Sequence, residues 1–178
     1  VGFQTGHTLT TGQFNTFMGG LTGDALTNAD SNVAVGYAAL SADALGSRSV
    51  ALGSGALNEQ NFTTATNSNN TAVGYAAGNR ISTGTRNTAL GSEAGDALTD
   101  ADDNVAIGAL ALTTDSLGSH STAVGRGALR YQSFTTATDS NNTAVGFSAG
   151  EAVTTGTSNT LIGGLAGDAL TTGAANVA

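Results

Sequence analysis

The chain has no cysteine, no proline, no tryptophan and no lysine. Each absence excludes something. Without cysteine there is no disulfide framework and no thiolate metal site. The basic residues are Arg48, Arg80, Arg86, Arg126 and Arg130 alone, against 13 acids, which leaves a formal charge of −8. That balance argues against nucleic acid, which needs a basic stripe, and against anionic membrane surfaces. No apolar run approaches the roughly 20 residues of a membrane-spanning helix. No segment reads as a signal peptide.

Glycine is abundant instead, 26 of 178 residues, and ten glycines set the pattern. They stand at Gly2, Gly19, Gly36, Gly53, Gly74, Gly91, Gly108, Gly125, Gly146 and Gly163, with spacings of 17, 17, 17, 21, 17, 17, 17, 21 and 17. This is a tandem repeat of one short unit, grouped in fours into a 72-residue super-repeat. Copies 2–73 and 74–145 agree at about 42 of 72 positions, and a third copy covers 146–178. Chains of this kind stack copies of one unit rather than folding around a central core. Residues 1–178 therefore read as a single repeat array. Both ends fall in mid-unit, which suggests a slice of a longer fibre.

Each unit approaches its glycine as Asn/Ser, Thr/Val, Ala, then an aliphatic residue, as in Asn70-Thr71-Ala72-Val73-Gly74. A small residue stands three past the glycine, from Ala39 to Ala166, with Thr5 and Thr22 at the start. The fourth position divides the units. Gly6, Gly23, Gly78, Gly95, Gly150 and Gly167 mark one type; Leu40, Leu57, Leu112 and Leu129 mark the other. After glycine, an apolar residue follows seven past the key glycine (Leu9, Leu26, Ile81, Leu98, Val153, Leu170). After leucine it slips to nine past (Leu45, Phe62, Leu117, Phe134).

Runs of Thr/Val-Ala-Val are strand-length, and no 3.6-residue period persists over a long window. Abundant Gly, Thr and Asn also disfavour helix interiors. The expectation is an all-β parallel solenoid of about ten turns. Two short strands per turn would stack at ~4.8 Å per layer, giving a rod of about 50 Å. Asn15, Asn32, Asn70, Asn87, Asn104, Asn142, Asn159 and Asn176 would then form a ladder, interrupted by Ser49 and Ser121. The key glycines answer either to positive φ or to a lack of room, and both causes stay open. Each unit offers about two sizeable apolar side chains, so one stack alone would be marginal. An alanine-rich second face would bury against a partner, making a side-by-side oligomer.

The strings Ser49-Val50-Ala51-Leu52-Gly53-Ser54-Gly55-Ala56-Leu57 and Asn70-Thr71-Ala72-Val73-Gly74-Tyr75-Ala76-Ala77-Gly78 resemble the head repeats of YadA-type trimeric autotransporter adhesins. They are equally similar to the repetitive shafts of bacteriophage tail fibres. The resemblance covers nearly the whole chain and implies a left-handed β-roll, a homotrimer, an extracellular place on a virion tail fibre or bacterial surface, and attachment to a host receptor. The unit length departs from the adhesin pattern, which is shorter and so implies tighter turns.

No residue stands out as catalytic, cofactor-binding or metal-binding. Asp100-Ala101-Asp102-Asp103-Asn104 has acids at alternate positions, as calcium loops do, but Val105 stands where such a loop wants glycine. A solvated acidic turn is the expectation. Asp24, Asp96 and Asp168 recur at the 72-residue period, which would set them about 20 Å apart by the stacking rise. That is too far for an acid pair, so they read as turn residues. His7 and His120 have no equivalents in other copies and read as surface histidines. Phe62 and Phe134, beside the four-residue insertions, read as core. Phe3, Tyr37, Tyr75 and Phe147 directly follow key glycines and read as chain–chain interface rather than glycan contacts. Thr83-Gly84-Thr85 and Thr155-Gly156-Thr157 admit an ice-binding reading, but Val33, Val50 and Val105 break the Thr column that it requires. The leading expectation is a non-catalytic shaft.

Overall fold

The computed structural model describes residues Val1–Ala178 and contains no helix. Its strands are β1 Thr16–Met18, β2 Val33–Val35, β3 Gly46–Ser47, β4 Val50–Leu52, β5 Thr66–Asn67, β6 Thr71–Val73, β7 Thr88–Leu90, β8 Val105–Ile107, β9 Gly118–Ser119, β10 Thr122–Val124, β11 Thr138–Asp139, β12 Thr143–Val145 and β13 Thr160–Ile162. Nine of them form one sheet in the order β1-β2-β4-β6-β7-β8-β10-β12-β13. Every pairing is parallel and in register, so Ala34 lies against Ala51, Ala51 against Ala72 and Ala72 against Ala89. A bridge between Thr160 and Val177 extends the ladder. The chain is a β-solenoid, and its ten key glycines bound about nine turns.

The expected second strand of each turn is present only in places. It forms as β3 with β5 and as β9 with β11. Elsewhere the layers are still hydrogen-bonded, but the backbone is kinked. Of 102 backbone hydrogen bonds, 84 lie outside regular strands, so turn-to-turn bonds at the corners hold the stack together.

Corners explain the kinks. In all ten layers the residue before the ladder position is left-handed, from Phe14 to Ala175, with φ between 50° and 64°. So is the fourth residue past the key glycine, whether glycine or leucine. Left-handed backbone costs an ordinary residue roughly 1–2 kcal/mol. Leu40, Leu57, Leu112 and Leu129 accept that cost at φ of 48–53° because each is fully buried. Burial of a leucine stabilises by about 1.5–3 kcal/mol, so burial wins. In the other layers glycine turns the corner and Leu26, Ile81, Leu98 or Val153 fills the core from seven past the key glycine. A Cβ on Gly78 would come 2.8 Å from Ile81 Cδ1 and 3.1 Å from Leu57 Cδ2. The side chains that crowd this corner are thus core side chains.

Both causes apply at the key glycines. Gly108 has φ +124°, and a Cβ there would lie 2.6 Å from the carbonyl of Gly125 in the next turn. At Gly163, after which no further key glycine follows, φ is +136° but a Cβ would meet only Ala166 at 3.9 Å. The stacked neighbour, not the turn itself, removes the room.

Both alanine columns lie inside the coil. Ala34, Ala51, Ala72, Ala106, Ala123 and Ala144 are fully buried, as are Ala39, Ala56, Ala77, Ala94, Ala111, Ala128 and Ala149. The expected alanine face for a partner is therefore corrected: the small side chains line the core and leave room in it for Leu26, Leu40, Leu57 and Ile81. The aliphatic residue before each glycine points outward instead, since strand side chains alternate in direction. Phe62 and Phe134 are core, at 5% and 6% exposure.

The asparagine ladder is present, with a different bonding scheme from stacked amides alone. Each Asn but the last, Asn176, reaches to backbone in the next turn. Asn87 Oδ1 accepts from the Asn104 N–H at 3.0 Å, while its Nδ2 donates to the Ala101 carbonyl at 2.7 Å. Asn32, Asn70, Asn104 and Asn142 donate in the same way to the carbonyls of Gly46, Gly84, Gly118 and Gly156. Amide-to-amide bonds join Asn142, Asn159 and Asn176. Ser49 and Ser121 donate their N–H groups to Asn32 and Asn104 but end the run of amides.

Candidate functional site

Outward-facing residues of the nine-stranded sheet form two columns. The one beside the key glycines reads Met18, Val35, Leu52, Val73, Leu90, Ile107, Val124, Val145 and Ile162. The other reads Thr16, Val33, Val50, Thr71, Thr88, Val105, Thr122, Thr143 and Thr160. Neither column holds a charge. Met18 is 58% exposed and Ile162 62%, while Leu90 and Ile107 stand near 38%. The outer face is thus a continuous apolar strip, rimmed by Thr, with its own core already filled behind it. Three valines break the Thr column that an ice-binding face requires, in layers 33, 50 and 105.

Phe3, Tyr37, Tyr75 and Phe147 lie at the edge of this strip and are all more than half exposed. Gly20 and Ser54 alternate with the first three, and a Cβ on Gly20 would sit 3.7 Å from the Tyr37 ring. Arg126 lies over the Phe147 ring at 5.9 Å, a cation–π distance.

Charge gathers on a separate edge. Arg86 Nε and Nη2 each lie 2.7 Å from the Asp103 carboxylate in the next turn. This paired hydrogen bond is the main reason that the Asp103 carboxyl is held below the ordinary range and the Arg86 guanidinium is pushed up. His120, one turn further, points Nδ1 at Asp139 at 3.1 Å and Nε2 at Asp103 at 3.7 Å. The histidine is exposed, as its sequence context indicates. Its position between two carboxylates has no signal within a single unit, because the partners come from two neighbouring turns.

The acids of the Asp100–Asn104 segment do not converge. Asp100 accepts from Ser82 at 3.0 Å and from Thr83 at 2.5 Å, and Asp102 accepts from the Thr85 N–H at 2.6 Å. Each bonds the turn below it. No three His, Cys, Asp or Glu side chains gather closely enough to hold a metal ion. Asp24, Asp96 and Asp168 stay four turns apart. Burial raises the Asp96 carboxyl above its ordinary range; Arg80 opposes this, and Glu93 and Glu59 add to it. His7 is exposed at the opposite end of the coil from Asp168.

Two buried polar clusters escape a reading of the sequence. Asp43, Ser49, Gln60, Ser68 and Asn70 are fully buried together, and Asp115, Ser121, Gln132, Ser140 and Asn142 repeat them. A signal exists in hindsight. Seven past the key glycine, where other layers carry Leu, Ile or Val, these layers carry Asp43, Gln60, Asp115 and Gln132. A polar residue in an apolar column marks either a misaligned repeat or a buried network.

Compared with protein-family models, with curated proteins and with solved structures, the chain matches none.

Proposed function

We propose that the chain is the structural, non-catalytic shaft of a homotrimeric surface fibre, with its outer sheet face as the chain–chain interface and its length given to host attachment. The uncharged aliphatic strip carries this reading. Apolar strips of such length on an otherwise polar protein mark interaction surfaces. A strip that repeats once per turn along the whole sheet is matched by a partner with the same repeat, and the chain itself has that repeat. The net charge of −8 lies off this strip, so three copies can approach without burying a carboxylate. The number three, a left-handed coil and an extracellular place on a phage tail fibre follow from the resemblance to fibre repeats. A bacterial trimeric adhesin head is the second reading from the same resemblance, and host receptor contact there falls to another part of the fibre or to this shaft.

Sedimentation equilibrium of the purified chain tests the proposal. Three chain masses are expected, and Val73→Glu with Leu90→Glu should return the mass to one chain while the far-ultraviolet spectrum keeps its β character. A wild-type chain that sediments as a monomer at tens of micromolar ends the proposal.

A further inference from the structure

The geometry points to the two buried polar clusters as clamps that fix where the four extra residues of each 21-residue turn are extruded, and so hold the 72-residue register of the rod. The need for such a device is physical. A 21-residue turn stacked between 17-residue turns must expel four residues somewhere. Thr, Ser, Asn and Ala fill Thr63–Asn70, and none of them favours one point of exit by size. A one-residue slip of a strand exchanges its inner and outer faces. Placement of the bulge therefore decides whether Ala72 or its neighbours enter the core.

Bonds bracket the bulge on both sides. Ahead of it, Asp43 Oδ1 accepts from the Gly46 N–H at 3.0 Å and from the Phe62 N–H at 3.1 Å. This ties the turn before to the last core residue before the bulge. Behind it, Ser68 Oγ meets Ser49 Oγ at 2.6 Å and donates to the Ser47 carbonyl at 2.9 Å. Gln60 joins the two sides. Its Nε2 donates to Asp43 Oδ2 at 2.6 Å and Ser49 Oγ at 2.9 Å, and its Oε1 accepts from Asn70 Nδ2 at 2.8 Å. Thr63, Thr64 and Ala65 between them are exposed.

Every buried polar atom of the cluster has a partner. Moving the bulge by one residue would take Phe62 N–H from Asp43 or Ser68 from Ser49, and a buried polar group left without a partner is costly. Only one exit point leaves no such group. The second cluster repeats the scheme. Gln132 Nε2 reaches Asp115 Oδ2 at 2.5 Å and Ser121 Oγ at 3.0 Å, and Asp115 Oδ1 accepts from Phe134 N–H at 3.1 Å. Ser140 meets Ser121 at 2.6 Å, and Asn142 donates to Gln132 at 2.8 Å. The small residue at each corner is part of the clamp, since a Cβ on Gly46 would strike the Asp43 carboxylate and the Phe62 ring.

Replacing Asp43 and Gln60 by apolar residues removes the centre of the clamp. Asp43→Leu with Gln60→Leu restores the side-chain type that Leu26 and Ile81 supply at the same position. The Gly46 and Phe62 N–H groups lose their acceptor on Asp43, while Ser49 and Ser68 keep each other and Asn70 keeps the Gly84 carbonyl. Peptide-level hydrogen exchange reads the result, with residues 134–142 as an internal control in the same molecule. The double variant should stay folded and exchange at least tenfold faster across 62–70, while 134–142 keeps wild-type protection. Ser68→Ala, which removes one hydroxyl, should speed exchange across 66–70 at least threefold and leave the rest unchanged. Wild-type protection across 62–70 in both variants overturns the inference. So does faster exchange spread evenly along the chain, because the cluster would then be ordinary packing.

Discussion

Layers whose fourth residue is glycine and layers whose fourth residue is leucine share one backbone and fill it in opposite ways. Gly78 and Leu57 both turn a left-handed corner, at φ +55° and +48°. In the first kind the corner is bare and Ile81 reaches in from three residues later. In the second the corner residue itself is the core side chain, and the later position is released for Gln60 or Asp43. The coil thus takes the large apolar side chain of this corner from either of two positions. That choice frees a buried position for polar groups in the leucine layers, and both 21-residue turns belong to leucine layers.

The sharpest way to break the comparison is to give a glycine layer the polar residue without its partners. Leu98→Asp would bury a carboxylate in a layer whose next turn offers Asp115 at the same position, where Asp43 is met by Gln60. An unpaired buried charge destabilises by roughly 3–5 kcal/mol. Urea denaturation should show a loss of that size, and a loss below about 1 kcal/mol would mean that any layer tolerates the polar residue. Next in size is Leu57→Gly, which turns a leucine corner into a glycine corner while Gln60 stays polar. Removal of a buried leucine costs about 2–5 kcal/mol, and relief of the left-handed strain returns about 1. A net loss of about 2–3 kcal/mol in the same assay is expected.

These two layer types were visible in the sequence as an alternation of Gly and Leu, and their backbone was not. Tandem glycines, strand-length runs and the Asn column are local, repeated signals, so the parallel stack and the ladder could be read directly. Facing direction was harder. Ala and Val alternate in Thr71-Ala72-Val73, and alternation alone does not say which set points in. Sequence reading placed an alanine face on a partner, whereas both alanine columns line the inside of a narrow coil. The clamp was missed because its hydrogen-bonded side chains lie 8 to 19 residues apart and come mostly from adjacent turns. Charge on the outer edge was hidden for the same reason: Arg86, Asp103, His120 and Asp139 meet only after stacking.

Acidity probes the buried carboxyl of the leucine layers, with a smaller effect than either substitution. Burial is the main cause that raises Asp43; hydrogen bonds from Gln60, Phe62, Gly46 and Leu45 oppose it, and no charged group contributes. The folded chain therefore holds this proton more tightly than the unfolded chain. Its contribution is complete below the ordinary value of 3.8 and is lost as pH rises through the raised folded value. Asp96, also raised, acts in the same direction. Asp103, held down by Arg86, acts in the opposite one, but it is partly exposed and screened. Stability should rise as pH falls from neutrality towards 4, and Asp43→Asn should flatten that rise. A wild-type curve that falls throughout this window would show that the buried carboxylate is stabilised in its charged form.

The smallest effect tests the corner itself. Ala76 is left-handed at φ 50°, two past its key glycine, and the same column already holds Gly55 and Gly127. Unlike Leu57, it contributes no large side chain to the core. Ala76→Gly removes strain of roughly 1–2 kcal/mol and adds the extra chain entropy of glycine, about 0.5–1 kcal/mol. A gain of about 0.5 kcal/mol is therefore expected, opposite in sign to Leu57→Gly although both replace a left-handed residue by the same glycine. Paired thermal melts of the two variants decide the matter. If both lose stability, corner strain is not what the leucine layers overcome by burial. The choice between the two layer types would then rest on packing alone.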